Sequence, residues 1–324
     1  MPKAVRIHTT GGPEVLVYED VAVGKPGPGE ALVRHTAIGL NFIDTYHRSG
    51  LYPLEGLPAT IGMEAAGVVE AVGANVAEVA VGGRVAYAAP PPGAYCEMRV
   101  MPAHRLVRLP PGIDDRTAAA MMLKGMTAQY LLRRTHPVNA GEFILVQAAA
   151  GGMGLLLCQW AKHLGASVIG TVGSDEKAKL ARAHGCDHPI VYTRQDFAAV
   201  VRELTGDKGV GVVYDGVGRD TFDKSLESLA MLGHVVLYGQ ASGPVPPFDL
   251  ARLSAKSATV TRPTLFHYVA QRADLERTAA ELFEVVGKGA VKVEIEQTYA
   301  LKDAAQAHRE LEGRKTTGSS VLVP

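Results

Sequence analysis

The stretch Phe143-Ile-Leu-Val-Gln-Ala-Ala-Ala-Gly-Gly-Met-Gly-Leu-Leu-Leu-Cys158 decides the fold. Residues 143–148 (FILVQA) form a short apolar run that reads as a buried strand, and residues 152–164 (GMGLLLCQWAKHL) carry apolar side chains at helical spacing. Between them, Gln147-Ala-Ala-Ala-Gly-Gly-Met-Gly154 is a glycine-rich strand-to-helix turn. Glycines let such a turn close tightly and approach a pyrophosphate, while the helix N-terminus offers unpaired N–H groups and the positive end of its dipole. Laid on the G-x-G-x-x-G pattern, Ala149 stands at the first glycine, Gly151 at the second and Gly154 at the third. Ala150, Gly152 and Met153 complete the expected cradle. The first position departs from the pattern, and on the motif alone a turn without ligand stays open.

Outward from this turn the rhythm continues. Residues 167–172 (SVIGTV) read as a strand, 175–184 as a charged helix, and 190–192, 210–215 and 234–238 as further strands with helical stretches between. Strand–helix alternation at this period predicts an α/β domain with a doubly wound parallel sheet. The second strand ends Val172-Gly173-Ser174, without the acid that binds an adenosine ribose in NAD sites. Gly173 leaves room, Ser174 can donate a hydrogen bond and Lys177 can supply a point charge to a 2′-phosphate, which favours NADPH. Asp175 and Glu176 pull the other way, since either can turn toward a ribose, and Lys177 also reads as a solvated helix lysine.

The first half has a different texture. Short runs at 31–33, 65–72 and 84–88 alternate with the turns PGPGE, VGG and PPPG, which suits a compact, barrel-like β domain. After Pro110–Gly112, residues 116–134 read as a helix, and residues 318–324 (GSSVLVP) as a terminal strand. With 324 residues, two domains are expected: a β-rich one at 1–125 and 266–324, and a dinucleotide-binding one at 126–265. Lys plus Arg and Asp plus Glu both number 33, so no basic excess points to nucleic acid. No run reaches the length of a membrane span and no signal core is present, so a cytoplasmic protein without a membrane partner is expected. Cys96, Cys158 and Cys186 are far apart and form neither a disulfide framework nor a zinc-binding spacing.

Four segments carry a family resemblance: Asn41-Phe-Ile-Asp-Thr-Tyr-His-Arg-Ser-Gly-Leu-Tyr-Pro53, Gly62-Met-Glu-Ala-Ala-Gly67, 148–154 and Gly313-Arg-Lys-Thr-Thr-Gly-Ser-Ser320. Together they resemble the quinone oxidoreductases, the zeta-crystallin-like, zinc-free branch of the medium-chain dehydrogenases/reductases. The resemblance runs nearly end to end. It implies a GroES-like β-rich catalytic domain, a Rossmann domain and a homodimer. It also implies that Asn41, Phe42, Ile43, Asp44 and Tyr46 lie beside the nicotinamide end of the cofactor. Thr127 would touch the nicotinamide ribose, and Tyr192 the adenine or 2′-phosphate. Tyr238, Gly239, Gln240 and Ala241 would lie near the nicotinamide, and Thr264, Leu265 and Phe266 would hold its carboxamide. Arg314 would reach the 2′-phosphate, although a solvated arginine fits it nearly as well. In zinc-dependent members a cysteine stands where this chain has Asn41, a histidine at Met63 and a third ligand near Leu123. None of these three residues supplies a thiolate or imidazole, so no metal is expected.

Without a metal the choice of chemistry narrows. Hydride addition to a simple ketone builds an alkoxide that needs a Lewis acid or strong donors. A quinone or conjugated carbonyl spreads the charge through its own π system and needs mainly orientation. Asn41, Tyr46 and Tyr52 are the expected catalytic residues: an amide for a ribose or substrate oxygen, and two phenols to stack on and polarise a planar acceptor. Tyr52 in its GLYP turn reads equally well as loop packing. The expected activity is NADPH:quinone reduction. The alternatives are an NADPH-dependent reductase of enals, enones or enoyl thioesters, and a non-catalytic cofactor-binding or RNA-binding protein.

Overall fold

The computed structural model describes every residue from Met1 to Pro324 and divides into two compact units. The first comprises Met1–Met126, Val269–Gly287 and Val293–Pro324; the second comprises Thr127–Tyr268 and Lys288–Lys292.

The first unit begins with strands β1 (Lys3–Ile7), β2 (Leu16–Asp20), β3 (Glu30–Leu40), β4 (Ala59–Thr60), β5 (Glu64–Val72), β6 (Arg84–Ala88), β7 (Met98–Pro102) and β8 (Val107–Arg108). Helix α1 (Phe42–Ser49) follows β3, and α2 (Asp115–Tyr130) leads toward the second unit. β3 organises the larger sheet by pairing antiparallel with β5 and β7. The Gly/Pro turns end strands here because proline cannot donate to a ladder and glycine adopts left-handed conformations, as at Gly29 and Gly82.

The second unit carries β9 (Phe143–Val146), β10 (Ser167–Val172), β11 (His188–Val191), β12 (Val210–Asp215), β13 (Leu229–Leu237) and β14 (Thr259–Thr261). Helices α3 (Gly152–His163), α4 (Asp175–Ala183), α5 (Phe197–Leu204), α6 (Phe222–Glu227) and α7 (Leu265–Tyr268) lie between and after them. The six strands pair in parallel in the order β11-β10-β9-β12-β13-β14. Such a sheet is buried on both faces, which is why residues 143–146 are an unbroken apolar run. The chain turns to opposite sides of β9, so the switch point lies at the carboxyl ends of β9 and β12. The glycine turn leaves from there.

The chain then returns to the first unit with α8 (Arg272–Gly287), β15 (Ile295–Ala300), α9 (Ala304–Glu312) and β16 (Ser319–Val323). β16 joins β3 antiparallel, and Ala304 and Ala307 of α9 pack with Val33, Ile38 and Tyr87 in the core.

The structure corrects the sequence reading in several places, among them the strand expected over 234–238, which begins at Leu229, and that expected over 190–192, which is His188–Val191. The strand expected over 143–148 stops at Val146, because Ala148 takes a left-handed conformation with φ +54°. The helix expected over 116–134 widens into a π-type turn at Leu131–Thr135, where the Tyr214 hydroxyl donates to the Leu131 carbonyl. Residues 266–268 and 288–292 belong to the second unit. Tyr268 stacks on Tyr130 with ring centroids 4.2 Å apart. Gln159 exchanges two hydrogen bonds with the backbone of Lys292.

Candidate active site

In the second unit, the glycine turn rests on a buried polar chain. The Thr171 hydroxyl donates to Gln147 Oε1 at 2.6 Å and accepts from the Ala148 N–H at 3.2 Å. Gln147 Nε2 donates to Ser225 Oγ at 3.1 Å, and Ser225 Oγ donates to Asp215 Oδ2 at 2.9 Å. Asp215 also accepts from the Val217 and Gly218 N–H groups and from Thr221. These bonds pin the ends of β9, β10 and β12 to one another.

The two aligned glycines differ in what surrounds them. A Cβ on Gly154 would lie 2.3 Å from the Ala148 carbonyl oxygen, so this glycine is required by helix–strand packing. A Cβ on Gly151 would meet only that oxygen, at 3.3 Å. Apart from this one close approach, which a few tenths of an ångström would relieve, the space beside Gly151 is open. Gly151 is also the N-cap of α3, has no side chain to offer, and is followed by a first turn with no acid. The leading N–H groups of α3 are thus left for an anion. Ala149 can stand at the first position because Gly170 faces it; a Cβ on Gly170 would lie 2.6 Å from the Ala149 methyl. Ala149 and Ala150 are buried, while Gly152 and Met153 are half-buried.

At the end of β10, Gly173 lies under the Tyr192 hydroxyl, 3.6 Å from where a Cβ would be. Ser174 caps α4, its Oγ accepting from the Lys177 N–H at 3.3 Å while its hydroxyl donates to the Glu176 carboxylate, which the Glu176 backbone N–H and this bond help hold below its usual range. Gly173, Ser174, Lys177 and Tyr192 thus come together. Arg194, which the sequence reading passed over, lies here too. Its guanidinium holds Asp175 in a two-pronged ion pair and keeps that carboxyl below its usual range. An arginine two residues beyond Tyr192 was the available signal.

Elsewhere in this unit, Tyr238 follows β13 with its ring against Gly216. The Ala241 N–H donates to the Gly216 carbonyl, so 238–241, with Gly239 and Gln240, folds over the end of β12. Thr264, Leu265 and Phe266 open the short α7, where the Thr264 carbonyl accepts from the His267 N–H. Thr127 is half-buried on α2.

The first unit holds a second polar cluster, built where β3 runs into α1. Asn41 caps α1, and its backbone N–H donates to Asp44 Oδ2 at 2.9 Å. Its side chain is held at both ends: Nδ2 donates to Glu64 Oε2 at 2.7 Å, and Oδ1 accepts from Lys124 Nζ at 2.7 Å. Glu64 Oε1 accepts from the Leu123 N–H at 2.7 Å. Glu64 is fully buried, and burial raises its pKa despite the nearby ammonium and these donors. Gly39 makes the close approach feasible, since a Cβ there would lie 2.2 Å from Glu64 Oε2.

Asp44 faces inward, into a chain of fixed direction. Arg48 Nη1 donates to His308 Nδ1 at 3.0 Å, and an arginine can only donate. His308 therefore carries its proton on Nε2 and donates to the Tyr95 oxygen at 3.0 Å, and Tyr95 donates to Asp44 Oδ2 at 3.1 Å. Glu312 closes the outer end on Arg48. Asp44 Oδ1 has no partner, and burial pushes the carboxyl up to about 7. Phe42 and Ile43 are half-buried on the first turn of α1. Tyr46 and Tyr52 meet edge to face at 5.1 Å, joined by the Tyr52 N–H donating to the Tyr46 carbonyl. Arg314 is exposed in a left-handed turn after α9, in the first unit, whereas Ser174, Lys177 and Tyr192 are in the second. Glu64, Lys124, Tyr95 and His308 were not singled out from sequence.

A β-rich unit joined to a doubly wound dinucleotide-type sheet is the architecture of the medium-chain dehydrogenases/reductases. Residues 27–132 match the family described as Alcohol dehydrogenase GroES-like domain, and residues 152–284 that described as Zinc-binding dehydrogenase. The chain is 54% identical to a quinone oxidoreductase of Pseudomonas aeruginosa, over the whole of both chains. It is 49% identical to a 2-haloacrylate reductase of Burkholderia sp, covering 100% of this chain and 99% of the relative. The solved structure of Escherichia coli quinone oxidoreductase complexed with NADPH superposes with a TM-score of 0.98 at 45% identity, covering 99% of this chain and 100% of that one. The chain belongs to the quinone oxidoreductase family of the medium-chain dehydrogenases/reductases.

One of those family descriptions names zinc, and the residues here do not fit it. Met63 is buried, and both ends of the Asn41 amide are taken. An ammonium already sits 3.6 Å from Glu64 Oε2. The side chain that reaches this point is Lys124 rather than its neighbour Leu123, which contributes only its backbone N–H. Carboxamide, thioether and ammonium make no zinc site.

Proposed function

We propose that this protein is an NADPH:quinone oxidoreductase that transfers hydride without a metal. The observation that carries the reading is the asymmetry of the glycine turn. Gly154 is closed by the protein's own backbone while Gly151 and the uncapped start of α3 are open, as a pyrophosphate cradle requires. NADPH is favoured over NADH by Ser174, Lys177 and Tyr192 around Gly173, and by Arg194 drawing Asp175 away from a ribose-binding role. Ala149–Gly154 would hold the pyrophosphate; Thr127, Tyr238–Ala241 and Thr264–Phe266 would serve the nicotinamide half. Bound NADPH supplies the hydride. Asn41, with Tyr46 and Tyr52, would orient the planar acceptor, whose conjugation spreads the incoming charge.

A second reading has specific support: the Burkholderia relative, at 49% identity, is a 2-haloacrylate reductase. An activated alkene conjugated to a carboxylate accepts hydride by the same displacement of charge onto oxygen. The experiment is NADPH oxidation by the purified protein with small quinones, enals and 2-haloacrylates side by side. Preference for quinones is expected; turnover of haloacrylates alone would replace the first reading with the second.

A cytoplasmic homodimer completes the proposal. No helix is long and apolar enough to cross a membrane. The three-residue β14 is an exposed edge of the parallel sheet, where a second copy can pair. Sedimentation at twice the chain mass is the expected result.

A further inference from the structure

We propose that Lys124 is a catalytic residue, the built-in cation that stabilises the oxyanion formed on the acceptor when hydride arrives. The inference rests on the metal-free hydride-transfer reading above and deepens it. An ammonium has three N–H donors. One is committed to Asn41 Oδ1 at 2.7 Å; the contact with Glu64 Oε2, at 3.6 Å, is an ion pair longer than a hydrogen bond. At least one N–H therefore has no protein acceptor. A structural lysine in a sealed core would be expected to have all its donors paired, because an unmet buried donor is costly.

Access and rigidity agree with this assignment. The Lys124 side chain is 10% exposed while Glu64 is 0% exposed, so within this ion pair it is the lysine side chain that retains some access. Glu64 itself is fixed by the Leu123 N–H and by Asn41, and Gly39 leaves the room for it. The charge is thus held by a tethered, largely desolvated frame, the arrangement in which an electrostatic donor counts most. The residues that fail to make a zinc site place another cation in the same cluster.

The step balances without further reagents. A dihydronicotinamide gives up a hydride and becomes a pyridinium. The two electrons form a new C–H bond on the acceptor, and its conjugated π pair moves out to the carbonyl oxygen. The free Lys124 N–H donates a hydrogen bond to that oxygen and keeps its proton; water then protonates the product.

The test uses Lys124→Met, which keeps the length and removes the charge, Lys124→Arg, which restores a charge, and the double variant Lys124→Met/Glu64→Gln. The double variant removes both buried charges and so guards against simple misfolding. Three measurements are made: NADPH Kd by fluorescence, kcat with a series of quinones, and binding of 4-nitrophenol to the NADP⁺-loaded protein, read from its phenolate absorbance. Removing one oxyanion donor is expected to lower kcat by about 100-fold in both Met variants. NADPH Kd should stay within about twofold, and the loss should shrink for more electron-poor quinones. Phenolate affinity should fall roughly tenfold, the scale of one charge-assisted hydrogen bond. Arginine should recover part of both. Wild-type kcat or phenolate affinity in the folded double variant would overturn the inference, showing that Lys124 only neutralises Glu64. Failure of the wild-type protein to bind NADPH or reduce any quinone would instead overturn the reading on which it rests.

Discussion

Gly151→Ala and Gly154→Ala add the same methyl group at two points of one turn, and the structure assigns them opposite consequences. At Gly154 the new carbon meets backbone: the Ala148 carbonyl oxygen at 2.3 Å and Ala149 atoms at 2.7 Å. Neither can swing aside, so α3 must shift from β9 at a cost of about 1–3 kcal/mol. At Gly151 the nearest atom is 3.3 Å away, and φ −81°, ψ 165° suits any residue. Folding stability should therefore stay within about 0.5 kcal/mol of wild type. In the proposed cradle the methyl would occupy space that the pyrophosphate takes. Losing one charge-assisted N–H contact there costs about 1.5–3 kcal/mol, or roughly 10–100-fold in NADPH Kd. Urea denaturation and fluorescence titration on both variants separate the effects. A Gly151→Ala protein that is as stable as wild type and binds NADPH equally well would refute the cradle.

Lys177→Ala should weaken NADPH by about 1–3 kcal/mol and NADH hardly at all. Equal losses in the two titrations would remove Lys177 from the 2′-phosphate. Asp44→Asn should flatten part of the pH dependence of stability. The folded carboxyl titrates near 7 against an ordinary 3.8, so the folded state holds a proton that the unfolded state has released. That contribution is fully present below about pH 4 and is lost as pH rises through 7, on the order of 4 kcal/mol in all. His35 and His47, pushed down to about 4, and His308, pushed down to about 3, act in the opposite sense, and Glu64 in the same sense. The difference between variant and wild-type denaturation curves isolates Asp44; parallel curves from pH 4 to 8 would contradict the assigned burial effect.

The dinucleotide-type sheet was legible because its signals are local. β10 falls on the expected 167–172, and α3 starts at the expected Gly152, since strand, turn and helix each announce themselves within a dozen residues. The Asn41 cluster was not legible in that way. Its members are 23 and 83 positions apart, and nothing in GMEAAG or KGMTAQ says that Glu64 and Lys124 converge on one amide. Reading by position selected Leu123, and only the helical rotation of α2 shows that the next side chain is the one turned inward. The return of 288–292 to the second unit likewise depends on Gln159 gripping the Lys292 backbone, a contact with no local signature.

Ala149 and Gly170 share a single small volume between two chain positions, and this constrains the routes by which the turn can change. Restoring glycine at 149 alone would bring the turn closer to the usual fingerprint yet open a methyl-sized void against the strand. Adding a methyl at 170 first would drive two carbons together at 2.6 Å. Exchange of the two residues is therefore epistatic in both orders, and even the exchanged pair would crowd Cys186, whose Sγ lies 2.7 Å from a Cβ at 170. A library that randomises 147–154 while holding 170 fixed would score the natural alanine as a flaw, although it fills the space that the neighbouring strand has vacated.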